Sequence, residues 1–203
     1  DIFLAINTEQ KPVHRSLVFD LYEIADEQIV DQAAARARDI AVELNEAGAP
    51  FYAMIKFPGE PPRKGGVALS TVVTAIKPLI EPNGIFDQVG LSTFENQSKA
   101  IVNFFSAMKL AYGDFWFDRQ NAFMYAAGFS GAIDFLGKRI VPYCVKKKSF
   151  SDKTIRGAID IPDSALIFQK ELSGKGGTEA QRFVFNRLEE SFVSEEVADD
   201  YEF

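Results

Sequence analysis

Cysteine, histidine and tryptophan each occur once, as Cys144, His14 and Trp116. A lone cysteine excludes an internal disulfide and agrees with a reducing, cytoplasmic setting. One cysteine and one histidine cannot make a Cys/His zinc set. A nucleophilic pair of Cys144 with His14 is formally open. The residues around the thiol (Ile140, Val141, Tyr143, Val145) form an ordinary helix face, however, so a packed thiol is the better reading. His14 has no carboxylate partner at a recognisable spacing, and Asp20, Asp26 and Asp31 are too scattered to form a cation loop. No catalytic set and no metal site can therefore be assigned. Nor does any apolar stretch approach the roughly 18 residues a membrane-spanning helix requires, so no membrane association is expected. Basic residues are in deficit, with 22 Lys and Arg against 29 Asp and Glu, a net charge of −7. That balance argues against a protein that coats nucleic acid with its whole surface.

Apolar residues make up 47% of the 203 positions and 19 of them are Phe, which predicts one sizeable, aromatic-rich core. Between Phe104 and Tyr143 there are eleven aromatics. Stacking on splayed bases is one use for such rings. Their alternation with Ala, Leu, Ile and Met at helical spacing favours core packing for most of them. Charge is unevenly spread. Lys138, Arg139, Lys146, Lys147, Lys148, Lys153 and Arg156 fall in one stretch with a single acid, Asp152, whereas the chain from Glu189 onward has seven acids and no base. The basic stretch is the candidate nucleic-acid-binding surface, with Lys175 as an outlying member. The rival reading is a solvated face whose lysines complement a helix C-terminus.

Along the chain, helical spacing of Ile29, Val30, Ala33, Ala37, Ile40, Ala41 and Leu44 predicts a helix from Gln28 to Glu46, with Asp31, Arg36, Arg38, Asp39 and Glu43 outward and Asn45, Gly48 and Pro50 as the stop. Residues 49–56 read as a short extended run and 58–66 as a loop, the best internal boundary. A helix capped by Ser70 follows, kinked or ended by Pro78. Ser92 or Thr93 opens a heavily apolar helix that Gly113 breaks. Short helices are expected from Ser151 and from Ile161 through Phe168, and a last one with a Thr178/Gln181 capping box. Before that box, Gly174-Lys175-Gly176-Gly177 could expose N–H groups to an anion, but it departs from the phosphate-loop pattern at Gly176. A linker into a capped helix accounts for it equally well.

The most distinctive stretch is Phe3-x-x-Ile6-Asn7-Thr8-x-Gln10-x-Pro12-Val13, a polar bend between two apolar runs. Its Asn7, Thr8, Gln10, Lys11 and Arg15 supply donors and acceptors suited to a nucleotide or phosphate, while capping of a helix end remains an equal account. This segment resembles one in DGQHR-domain (DndB-like) proteins, where it follows a ParB/sulfiredoxin-like core. Further likenesses are Pro50-Phe51 with Ile55, Leu69-Ser70 with Pro78-Leu79, Trp116 with Gly128-Phe129, and the glycines before the last helix. The chain starts at Asp1 in mid-element and contains no Asp-Gly-Gln-His-Arg, so it is expected to be an N-terminally truncated fragment.

The resulting expectation is a mostly α protein with an α+β remnant. Residues 1–66 would be the C-terminal part of a ParB-like domain, and 67–203 a multi-helix domain with an acidic tail. The resemblance implies a prokaryotic protein associated with DNA modification, binding DNA or regulating its modification. It also implies a nucleotide with Mg²⁺ in the full-length protein, and partners among its own copies or DNA-modification proteins. Two alternatives stay open: a nucleotide-dependent nuclease or NTPase of a ParB-like restriction family, and an interaction module without catalysis. Those restriction families carry Gly where this chain has Gln10, which favours the first reading.

Overall fold

The computed structural model describes residues 31–61 and 65–193. The bend at 1–17, with Asn7, Thr8, Gln10, Lys11, His14 and Arg15, lies outside the described residues, as does the segment 194–203. The protein is mostly helical, with one small parallel sheet.

Helix α1 (Gln32–Asn45) starts later than the periodicity predicts. Asp31 is its N-cap, accepting the Ala34 N–H at 3.1 Å, instead of an outward position within the helix. The Lys77 ammonium lies 2.6 Å from the same carboxylate and holds its pKa below the usual value. Ala34, Ala37, Ile40, Ala41 and Leu44 form the buried stripe that the i, i+3, i+4 spacing dictates. Past Asn45 the chain coils in turns up to Met54. Only Ile55–Lys56 is extended, as strand β1, so the strand expected over 49–56 shrinks to two residues. The helix end explains the change: the Phe51 N–H satisfies the orphan Leu44 carbonyl at 2.9 Å, and the Asn45 Oδ1 accepts the Ile55 N–H.

Strand β2 (Val67–Ala68) pairs in parallel with β1, Ile55 opposite Val67, and runs straight into helix α2 (Leu69–Ile80). Ala68 holds the cap position, not Ser70, because burying Leu69 completely starts the helix two residues early. Helix α2 continues two residues beyond Pro78. Helix α1 packs on α2 across the 58–66 loop, and residues from both sides of that loop share one core.

After the short helix α3 (Ile85–Gln88), helix α4 (Phe94–Tyr112) is capped by Thr93, which accepts the Asn96 N–H, and ends at Gly113 with φ +52°. Its rings build the core. Phe51 sits 4.8 Å centroid to centroid from Phe105, 5.3 Å from Phe129 and 5.7 Å from Trp116, each edge-on. Full burial of each such ring contributes about 2–3 kcal/mol. Phe104, Phe105, Trp116, Phe123, Phe129 and Phe135 have no exposed surface. These six are therefore packing residues and cannot stack on bases.

Buried polar groups tie this core to its loops. The Trp116 Nε1–H donates to the Pro50 carbonyl. Fully buried Asn121 donates to the Trp116 carbonyl at 2.6 Å and accepts the Phe123 N–H at 3.0 Å. The Tyr112 hydroxyl accepts the Ile167 N–H, and burial raises its pKa. These bonds hold 166–168 extended, with Asn121 bridged to Phe168, so the helix expected from Ile161 is replaced by a single turn at Asp163–Ala165.

Helix α5 (Ala126–Phe135) continues through one widened π turn, Leu136–Ile140, into helix α6 (Val141–Lys147). The turn lies just ahead of Pro142, whose ring would press on the carbonyl four residues back in a regular helix. Helices α7 (Asp152–Gly157) and α8 (Gln169–Leu172) are short, and helix α9 (Gly177–Glu190) packs along α5. Gly176 caps α9. Gln181, expected in a capping box with Thr178, instead donates to Asp134 on α5 at 2.7 Å.

Candidate nucleic-acid interface

The basic stretch spans the π turn, α6 and α7, and its cations have different surroundings. Lys138 and Arg139 sit on the π turn, whose extra residue turns both outward while Leu136 and Ile140 stay buried. The Lys138 ammonium lies 5.3 Å from the Phe185 ring centroid. Arg139 forks onto Glu189, with Nε 2.7 Å from Oε2 and Nη2 2.5 Å from Oε1, and that carboxylate raises its pKa. Arg156 pairs with Asp152 one helical turn away, at 3.4 Å. Lys147 lies 5.7 Å from the Tyr143 ring. Lys146, Lys148 and Lys153 are exposed and make no ion pair with any described residue.

Lys146, Lys147, Lys148 and Lys153 flank one turn. Lys148 closes α6 in the left-handed conformation, φ +52°, donating its N–H to the Val145 carbonyl. Ser151 then caps α7 by accepting the Thr154 N–H. The Ser149, Ser151 and Thr154 hydroxyls bond to one another at 2.8–3.2 Å. Asn103 of α4 donates to the Phe150 carbonyl at 2.8 Å and anchors the turn to the core. The result is a fixed surface with several ammonium groups beside three hydroxyls, chemistry suited to phosphate oxygens. The hydroxyl cluster is absent from the sequence-based site. Its signal was the Ser-x-Ser-x-x-Thr spacing that starts a helix.

Lys175 stands apart. Its ammonium lies 4.9 Å from the Phe183 ring, so the side chain lies back along α9. Phe183 and Phe185 are two residues apart and therefore about 200° around the helix axis. Lys175 and Lys138 consequently occupy different sides of α9. The expected phosphate-binding residues Asn7, Thr8, Gln10, Lys11 and Arg15 fall outside the described residues.

Burial pushes the Cys144 thiol up to about 12, so it is protonated at neutral pH and is a packing group. Among the described residues no three His, Cys, Asp or Glu side chains come together as a metal set. None of the described helices is long and apolar enough to cross a membrane. Two further open hollows are present, the smaller of them reaching Arg156 of the basic stretch. One of about 520 Å³ is bordered by Asp160, Ser164, Arg187, Glu190 and Phe192, and one of about 250 Å³ by Leu110, Arg156 and Ile161. In the first, Arg187 is held by Glu171 at 2.8 Å and by the Ala165 carbonyl, so its guanidinium serves the fold.

The class defined is a mostly helical protein of acidic net charge with a local basic turn. In comparisons with known proteins, no family model, no curated protein and no solved structure matches this chain.

Proposed function

We propose that the protein binds nucleic acid, and specifically that it is a DNA-binding or regulatory protein of the DGQHR type associated with DNA modification. The observation that carries the binding reading is the α6–α7 turn. In a protein of net charge −7, it concentrates Lys146, Lys147, Lys148 and Lys153 on exposed surface, beside hydroxyls that also bond phosphates. An acidic protein needs such a local positive face to meet a polyanion. The choice of DNA, and of modification as its context, rests on the sequence resemblance alone.

The test is the salt dependence of duplex DNA binding. Each phosphate contact contributes about −0.9 to the slope of log K against log salt. Reversing Lys146, Lys147 and Lys148 together to Glu should weaken binding and flatten that slope by up to about 2.7. Relative preference among DNA sequences should stay nearly unchanged, because phosphate contacts carry no base information. An affinity and slope that survive the triple reversal remove this turn from consideration as the binding face.

A further inference from the structure

A second polar pocket lies away from the basic turn, where the start of α1 meets the end of α2, helix α3 and the start of α4. It encloses about 200 Å³ and is lined in part by Arg36, Glu81, Asp87, Ser92 and Gln97. Arg36 is half-buried, and its Nη1 donates to the Ser92 carbonyl at 3.3 Å and to the Gln97 Oε1 at 3.2 Å. The anchor is firm: Gln97 is 1% exposed, and its own Nε2 is fixed on the Leu91 carbonyl at 2.8 Å.

A guanidinium has five N–H donors, two of them on Nη1. Both of those are spent on neutral oxygens. The three on Nε and Nη2 have no acceptor among the described residues. That edge is the fork that receives a carboxylate or phosphate through two parallel bonds. The other half-buried arginines differ, since Arg38 lies 3.3 Å from Asp39 and Arg187 pairs with Glu171. A partly buried guanidinium oriented by a buried amide, with its bidentate edge unused, is the arrangement of an anion receptor.

The rest of the lining narrows the ligand. Glu81 and Asp87 add two negative charges against the single positive charge of Arg36. The Asp87 Oδ2 accepts the Asn83 N–H at 3.1 Å, and the Glu81 carboxylate has no partner among the described residues. A phosphate dianion would meet net repulsion there. A ligand with a carboxylate at one end and an ammonium at the other satisfies both signs, and the volume limits it to a small molecule. We propose that this pocket binds a free α-amino acid, carboxylate on Arg36 and ammonium toward Glu81 and Asp87.

The experiment titrates the 203-residue chain with each of the twenty common amino acids, first by thermal shift and then by calorimetry. Acetate, methylamine and inorganic phosphate serve as comparison probes. At least one amino acid should bind, and none of the three comparison probes should match it. Arg36→Gln should weaken that binding by about ten- to a hundredfold, the worth of a charge-assisted bidentate contact. Glu81→Gln should weaken it independently. Should Arg36→Gln fail to fold, Arg36→Lys keeps the charge but loses the fork, and a drop in affinity there supports the proposal equally. Absence of binding by all twenty, preferential binding of phosphate or acetate, or unchanged affinity in both the Arg36 and Glu81 variants overturns the proposal.

Discussion

Gly128, the third residue of α5, lies against the turn Ala122–Met124 so closely that a methyl group there has no room. A Cβ would lie 1.9 Å from the Ala122 carbonyl oxygen, 2.4 Å from its carbon and 2.9 Å from the Phe123 nitrogen. An ordinary C···O contact is about 3.3 Å, so backbone must retreat by roughly 1.4 Å. All three contacts are main-chain atoms of a segment pinned by Asn121, so no side-chain rotation can relieve them. Replacing glycine by alanine gains about 1 kcal/mol of helix propensity. Overpacking of this kind costs about 1–3 kcal/mol and sometimes more, and main-chain overlap places it at the upper end. Gly128→Ala should therefore lose about 2 kcal/mol net, which lowers a urea midpoint by about 1 M at a slope near 2 kcal/mol/M. Gly177, in the first turn of α9, is the control, because a Cβ there meets nothing within 4 Å. Gly177→Ala should hold or raise the midpoint by a few tenths of 1 M. Urea titrations followed by Trp116 fluorescence and by circular dichroism supply both values. A Gly128→Ala midpoint at or above that of the parent protein would refute the steric argument.

Asn121→Ala deprives the Trp116 carbonyl and the Phe123 N–H of their buried partner, at about 1–3 kcal/mol for each orphaned group. It should unfold at markedly lower denaturant, and an unaltered midpoint would mean that other groups satisfy both atoms. Cys144, buried and with its pKa pushed up to about 12, should react with thiol reagents at pH 8 only as fast as the protein unfolds. Labelling at the rate of a free thiol is the contrary result. The folded pKa of this thiol, like that of Tyr112, lies above its unfolded value. The linked stability is thus whole below about pH 8.5 and is lost as pH rises toward 12, and Cys144→Ala should flatten part of that decline.

Much of the fold was legible from local pattern. Helices α1 and α4 follow from their apolar spacing, and the Thr93 cap and the Gly113 stop were among the expected ends. The mostly helical class, with little strand, follows from the same periodicities. The basic stretch could be read as a charge cluster, and the burial of most aromatics from their helical intervals. Local pattern misleads where a distant partner outweighs local preference. Residues 166–168 carry a helix-like apolar run, yet the Tyr112 hydroxyl and the Ala122 N–H take up the backbone groups of Ile167, and the Asn121–Phe168 bridge holds the run extended. Thr178 and Gln181 have the spacing of a capping box, but Asp134 on another helix claims the glutamine. Ser70 is a good cap in isolation, and burial of Leu69 overrides it.

The candidate sites divide in the same way. Sequence alone determined which cations occur together, because their spacing along the chain is short. Only the tertiary structure decided which of them are engaged: Arg139 by Glu189 fifty residues on, Lys138 by Phe185, and Lys175 by Phe183. The Arg36 pocket had no signature in the sequence. Its lining comes from four helices, and Gln97, which orients the guanidinium, is 61 positions away. Short-range pattern fixes which segments become helices, since those hydrogen bonds close within four residues. A binding pocket is a relation between segments, and it exists only once burial of the apolar stripes has brought those segments together.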